Sequence, residues 1–343
     1  MKDPRRNMRE SAYIKRFVEE RFTKAKAKLE KIDIPQENKD LLKKYIQYHM
    51  GRGSKMNTIG IYLEYLTNFS VIAKKPFREI TKDDMIQAMI EINNRYATTT
   101  INDYRTYVKG FYKWMNNGRV SPTTSWIKTD KYIPTVRYND LVFKEHIEEM
   151  LKFCKNKRDT AAIAFLWESG CRLGELLTMR IKDISFEMYN EHIFASVDVY
   201  GKTGHRTIFI SPFAAKPLYD WLLEHPHRAI PDQWVYVSVG RKNFGKSASY
   251  TGFRTVLKKI EEDSLIGKNL YPHLFRHSAA TRDAVILTEP EMCMKFGWTP
   301  GSVMPAFYIH LNGSSIKKKV IENYMQKMKR MAMEEMLIPV IRK

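Results

Sequence analysis

Cysteine is scarce: the 343 residues hold three, Cys154, Cys171 and Cys293, none in a C-x-x-C spacing. That spacing excludes a disulfide framework and a structural zinc site of the usual kind, and fits small buried hydrophobes in a reducing compartment. No run of about 18 apolar residues occurs, so no membrane span is expected. Met1 to Glu10 are polar and charged, without the apolar stretch of a secretory leader. Internal repeats and low-complexity tracts are missing too. Acidic residues are outnumbered, with 38 Asp and Glu against 58 Lys and Arg, a formal net charge of +20. Such an excess attracts polyanions, and nucleic acid is the commonest of these. The basic residues are spread along a chain that is 43% hydrophobic and 12% aromatic. This composition describes a folded basic protein, long enough for two domains, rather than a basic tail.

The first third reads as helices only. A basic helix is expected over residues 8–31, then helices over 36–49, 57–72, 81–96 and 98–115, with apolar residues at helical spacing. Thr81 is placed to cap the fourth, and Asp83 and Asp84 fall in its first turn. Residues 119–140, with Pro122, Pro134 and several Ser and Thr, lack apolar periodicity and read as a linker. The rest is mixed. Helices are expected at 144–155 and 159–169, and strands at 181–186, 193–197 and 207–210. The last two strands are joined by the polar segment Asp198 to Arg206 as a β-hairpin. Helical patterns then run from Phe213 to the end, broken by a strand-like stretch at 234–239. The expected fold is mainly α with a small antiparallel β-sheet. A helical domain would occupy residues 1–125, a linker 126–140 and a mixed α/β domain 141–343.

Five sequence elements could act together: Arg172 in Cys-Arg-Leu-Gly-Glu, Lys202 in Gly-Lys-Thr-Gly, His273-Leu-Phe-Arg276-His277, Gly297-Trp298, and Phe307-Tyr308-Ile-His310. Cutting a phosphodiester so that it can be resealed requires a nucleophile that stores the bond. A tyrosine phenol, with an ordinary pKa of about 10, can do so as a phosphotyrosine. Charge growing on the non-bridging oxygens suits two guanidinium forks, which bind two oxygens at once and stay charged. A lysine can protonate the departing 5′ hydroxyl and a histidine can move the phenolic proton. His273 and Arg276 lie three apart, on one face of a helix. Arg172 and Glu175 share that spacing, so the Glu175 carboxylate could orient the arginine or its helix.

This set resembles the active site of the tyrosine recombinase (phage integrase) family, over roughly residues 140–330. The all-helical first part is similar to the family's core-binding domain by type only. The resemblance implies a core-binding domain and a catalytic domain forming a clamp on duplex DNA. Four protomers would assemble on two specific recombination sites, from free monomers or weak oligomers, and exchange strands through a Holliday junction without metal, nucleotide or other cofactor. It further implies that Arg172 and Arg276 hold the scissile phosphate, Lys202 is the general acid, His273 assists proton transfer, Trp298 donates its indole N–H to the phosphate, and Tyr308 attacks to give a 3′-phosphotyrosyl link. Glu175 and His277 would support them. Between Trp298 and Tyr308 stand Pro300, Gly301 and Pro305, about one residue more than in the Xer type, so the tyrosine helix should start late or be kinked. A cytoplasmic, nucleoid-associated place in a prokaryote, virus or plasmid host follows.

Other readings remain open at this level. Tyr324 is a second tyrosine, on a basic helix expected over 314–336, whose apolar end at 336–341 suits a contact with a neighbouring protomer. Gly240 to Ser247 match G-x-x-x-x-G-K-[ST], the phosphate-cradling loop of an ATPase. The alternative is a basic loop lying along DNA. His225-Pro226-His227 resembles a metal pair without a third ligand. A type IB topoisomerase, or a non-catalytic DNA-binding protein on the same fold, would share most of these features.

Overall fold

The computed structural model describes residues 12–129, 136–201 and 204–311, together with Tyr324, Met325 and Met328. Lys202, the middle of the expected linker, the N-terminal residues 1–11 and nearly all of the expected C-terminal helix lie outside the described residues.

The chain divides into two compact units, with the boundary between Pro134 and Thr135. The first is helical: α1 (Ala12–Lys31), α2 (Gln36–Gly51), α3 (Met56–Ala73), α4 (Lys82–Arg95) and α5 (Thr98–Met115). Their apolar faces meet around Leu29, Leu42, Ile59, Leu66, Phe69 and Phe111. The start of α4 is fixed by a reciprocal cap: the Asp84 backbone N–H donates to Thr81 Oγ1 (3.2 Å) and the Thr81 N–H to Asp84 Oδ2 (3.0 Å). Asn38 is buried but fully used. Its amide donates to Ser70 Oγ (2.8 Å) and the Lys75 carbonyl (2.9 Å) and accepts from the Phe77 N–H (2.7 Å), which ties α2 to the end of α3. Ile127 joins this core, and its carbonyl accepts from Lys109 Nζ (2.6 Å).

The second unit comprises α6 (Lys144–Lys152), α7 (Lys157–Ser169), α8 (Leu173–Leu177), β1 (Ile184–Tyr189), β2 (His192–Gly201), β3 (Gly204–Ile210), α9 (Pro212–Leu223), α10 (Tyr250–Asp263), α11 (Pro272–Asp283), α12 (Glu289–Phe296) and α13 (Met304–Leu311). The strands form an antiparallel meander in the order β1-β2-β3. Inward Ala195, Val197, Val199, Ile208 and Ile210 pack with α7 and α9 in the core of the unit. The fold is mainly α with one small antiparallel sheet, as expected.

Several boundaries differ. Residues 181–183 form a 3-10 turn, because Asp183 accepts the Arg180 N–H (2.9 Å), and β1 begins only at Ile184. The polar segment Asp198 to Arg206 is mostly strand, pairing Asp198 with Thr207, Val199 with Arg206 and Tyr200 with His205. Asp198, Tyr200 and His205 face outward, while Val199 and Arg206 continue the inward alternation. Residues 234–239 contribute isolated bridges, Arg180 to Trp234 and Val237 to Ser247, rather than a strand. Among the described residues no helix is long and apolar enough to cross a membrane.

Candidate active site

The site begins where α7 ends. Gly170 closes that helix in the left-handed conformation (φ 59°), and a Cβ there would collide with the Phe296 ring and lie 2.9 Å from the Ala279 Cβ. Only glycine meets both demands. The chain then turns sharply into α8 with Arg172 as its N-cap.

Glu175, one turn in, is 3% exposed and organises what surrounds it. Oε1 accepts from Arg172 Nη1 (2.9 Å) and Arg206 Nη1 (3.1 Å). Oε2 accepts from the Arg172 backbone N–H (2.9 Å) and Arg206 Nη2 (2.8 Å). Burial by itself would raise its pKa, but the Arg206 fork and charge, with Arg172 behind them, bring the carboxyl down to about 2. Arg206, on β3, was not singled out in the sequence; its only signal there is a basic residue shortly after the glycine-rich turn. The hairpin reaches the same carboxylate from a third side, because a Cβ on Gly201 would collide with Glu175 Oε1. Arg172 keeps 30% of its side chain exposed.

Arg276 is held differently. It sits on α11, whose first turn accepts Pro272 and which is buried along nearly its whole length. The side chain is buried, with Nη1 donating to the Gly170 carbonyl (2.9 Å) and Nη2 to the Phe296 carbonyl (2.5 Å). It lies 5.3 Å from the Phe296 ring centre and 5.5 Å from that of Trp298. Burial, then the charge of Arg172, pushes its pKa down to about 10, so it stays protonated at neutral pH. His273 opens to the surface on the same helix. Desolvation of its ring, followed by the charges of Arg276 and Arg172, lowers its pKa from the ordinary value.

Tyr308 stands on α13, which starts at Met304 with Pro305 in its first turn. Its ring stacks on Trp298 at 5.6 Å with an 8° tilt, and it is 1% exposed among Phe296, Ala279, Ala280 and Met292. Its hydroxyl lies 2.7 Å from Nδ1 of His277. Burial, then the neighbouring His273 and Arg276, lowers the His277 pKa to about 4, so the ring is neutral near pH 7. In the Nε2-protonated tautomer, Nδ1 accepts the phenolic hydrogen. Tyr324, by contrast, is 62% exposed.

The structure therefore gathers Arg172, Glu175, His273, Arg276, His277, Trp298 and Tyr308 in one unit, while Lys202 lies outside the described residues. The two competing motifs do other work. Gly240 to Ser247 form a closed turn. The Ser238 N–H donates to the Lys246 carbonyl (2.7 Å), Gly245 N–H to Ser238 (2.9 Å) and Lys246 N–H to Asn243 (3.0 Å), which uses up N–H groups that a phosphate cradle needs. The run is also not the strand-to-helix turn of a parallel α/β sheet, so the ATPase reading is not supported. Gly245 packs on His227, whose Nε2 would lie 2.5 Å from an added Cβ. The His227 N–H donates to His225 Nδ1 (3.1 Å), so the His-Pro-His run braces this turn. Among the described residues no group of three or more His, Cys, Asp or Glu could hold a metal ion.

Fold and site define an α-rich protein whose second unit surrounds a stored tyrosine with fixed cations. Residues 141–289 match the phage integrase family, a stretch that contains Arg172, Lys202, His273 and Arg276 but ends before Trp298 and Tyr308. A tyrosine recombinase of Synechococcus elongatus is 27% identical over 194 residues, 54% of this chain and 58% of that protein. Transposase A from transposon Tn554 of Staphylococcus aureus is 25% identical over 51% of this chain and 48% of its own length. The chain thus spans about half the length of these relatives. Tyrosine recombinase XerC of Roseiflexus is 25% identical over 67% of this chain and 75% of its own. Among solved structures, XerH recombinase in a post-cleavage complex superimposes with a TM-score of 0.61, at 15% identity over 93% of this chain and 97% of that one. A lambda integrase dimer on a core site does so with 0.59, at 13% identity over 78% and 76%. Residues 141–289 are thus similar to the phage integrase family, and the relatives the chain matches include tyrosine recombinases.

Proposed function

We propose that the protein is a site-specific DNA recombinase that cleaves and rejoins duplex DNA through Tyr308. The helical unit is its core-binding domain and the second unit its catalytic domain. The observation that carries this reading is the stack of Arg276, Trp298 and Tyr308, in which Arg276 feels the charge of both Tyr308 and Arg172. In the reaction, Tyr308 Oη forms a bond to phosphorus as the bond from phosphorus to the 5′ oxygen breaks. Arg172 and Arg276 neutralise the non-bridging oxygens. Lys202 supplies the proton to the leaving 5′ hydroxyl, and His273 receives the phenolic proton. The Trp298 indole N–H donates to the phosphate. A 5′ hydroxyl from the partner strand then attacks the phosphotyrosine, restoring the phosphodiester and the phenol.

The Tyr308 hydroxyl is buried on His277, so α13 must shift before a phosphate can be attacked. Gly301, at φ 74° just before that helix, provides the pivot. Lambda integrase is known as a tetramer on a Holliday junction. The same assembly on two sites, through a junction intermediate, is proposed here, with the soluble DNA-bearing compartment as its place of action.

The test is covalent capture. The full chain is incubated with a duplex library of randomised core carrying one nick, denatured, and the protein-linked DNA recovered. Recovery of a consensus duplex, in EDTA and without ATP, supports the reading. Failure to form any DNA-protein adduct overturns it and leaves a DNA-binding protein. Resealing of one duplex without exchange between two would make it a topoisomerase.

A further inference from the structure

We propose that Arg206 is a positioning residue for strand cleavage, holding Glu175 from β3 so that Arg172 keeps one edge of its guanidinium directed away from that carboxylate. This rests on the recombinase reading above. Arg206 is only 10% exposed, and all three of its donor groups are engaged: Nη1 and Nη2 each take one Glu175 oxygen, and Nε donates to the Lys295 carbonyl at 2.7 Å. Two parallel N–H to oxygen bonds fix the carboxylate plane as a single bond cannot. Arg206 therefore does not reach outward to DNA; its guanidinium is spent inside the protein.

The consequence falls on Arg172. A carboxylate left alone with one arginine draws both edges of the fork onto itself, in the usual bidentate pair. Here Arg206 occupies both oxygens, and Arg172 keeps one side-chain bond, from Nη1. Its other edge is then available for the bidentate grip on a phosphate that two oxygens call for. The clasp also joins separate parts of the chain. β3 begins two residues after Lys202 in the chain, Arg172 caps α8, and the Lys295 carbonyl stands near the end of α12, two residues before Gly297-Trp298. One side chain thus sets the spacing between three elements that bear the proposed active residues. Misplacement of a reacting group by about 1 Å can lower a rate about 10²-fold.

Glu175 is faced by Arg172 and Cys171 next to α8, by Arg206 from β3, and by His273 and Arg276 from α11. Removing Arg206 withdraws its strongest partner while the burial that disfavours its charge remains.

The test uses the full chain and the nicked duplex recovered by covalent capture with the parent protein. Arg206→Gln should slow single-turnover adduct formation about 10²-fold at neutral pH, with duplex affinity unchanged. Its rate should also fall off on acidification at a higher pH than the parent's, because Glu175 now protonates more readily. Arg206→Lys, which keeps the charge but not the fork, should restore the parent's pH profile without restoring its rate. Both variants are scored only on protein shown folded by near-ultraviolet circular dichroism, and if Gln does not fold, Lys alone decides through its rate. A parent-like adduct rate in the folded variants, or a loss matched by lost duplex affinity, overturns the proposal while leaving the recombinase reading intact. A parent that forms no adduct overturns both.

Discussion

The two arginines of the site are held by opposite means. Arg172 is anchored by a carboxylate, remains 30% exposed and shares its anchor with Arg206. Arg276 is buried and anchored by two main-chain carbonyls, one from the glycine that ends α7 and one from the last residue of α12. The first can be reoriented without disturbing the core. The second is part of the core, and its charge is fixed wherever the backbone places it. The same contrast separates the two halves of the site. The Arg172 half is wired by ion pairs around Glu175, whereas the Tyr308 half is an apolar pocket of stacked rings with one hydrogen bond to His277. Under the proposed function, a site that gathers a phosphate needs charge already in place, and a nucleophile that must not act early is better kept dry.

The largest expected effect lies in the pocket. Tyr308→Phe should abolish the DNA-protein adduct altogether, while changing stability by only about 1 kcal/mol through loss of the His277 hydrogen bond. Tyr324→Phe should leave the adduct intact; its loss would move the nucleophile to Tyr324. Next come the arginines. Alanine at either position should slow adduct formation about 10²- to 10³-fold, by analogy with the loss of an oxyanion donor. They should part on stability. Arg276→Ala strands the carbonyls of Gly170 and Phe296 in the core at about 1–3 kcal/mol each, seen as a lower Tm. Arg172→Ala leaves Glu175 on the Arg206 fork and should melt close to the parent. Equal losses of Tm would break the contrast.

Much of this was legible because a few side chains recur at helical spacing. The i, i+3 pairs Arg172–Glu175 and His273–Arg276 need only a helix to act together, and the helices are where the apolar periodicity put them. Arg206 was not legible: its pairing with Glu175 spans 31 residues and depends on strand register. That register was itself underestimated, because polar residues such as Asp198, His205 and the inward Arg206 hid strands whose other inward positions are apolar. Gly240 to Ser247 misled in the opposite way. The letters of a phosphate loop are present, but the backbone N–H groups are turned inward by a local hydrogen-bonded turn, which no pattern of letters reports.

Acid should separate the two halves in sequence. His277 has its folded pKa lowered to about 4 from an ordinary 6.5, so the unfolded chain binds the proton first. Its contribution is complete above about pH 6.5 and is lost as pH falls toward 4. Glu175, brought to about 2 from 4.5, likewise favours the folded state above its unfolded value and loses that favour between about 4.5 and 2, worth roughly 3 kcal/mol in all. Urea denaturation across this range should show two successive declines. His277→Gln should shrink the upper one and leave the lower one in place. Loss of both together would mean that the halves titrate as one.

The smallest effect should be the most local. Gly201 is not in the left-handed region, so its replacement is a question of space, and a Cβ there runs into Glu175 Oε1. A free glutamate would swing aside. This one is held by two guanidinium groups and an N–H, so the hairpin must yield instead, and overpacking of this kind costs about 1–3 kcal/mol. Gly201→Ala should therefore lower Tm modestly and slow adduct formation through the Arg172 half. The Tyr308 pocket should be untouched, as read by an unchanged upper acid decline from His277. The control is the same change with Glu175→Gln, whose neutral amide is gripped less tightly and can move. Restored Tm in the double variant would show that the rigidity of the ion-pair cluster, rather than the hairpin itself, forbids a side chain at residue 201.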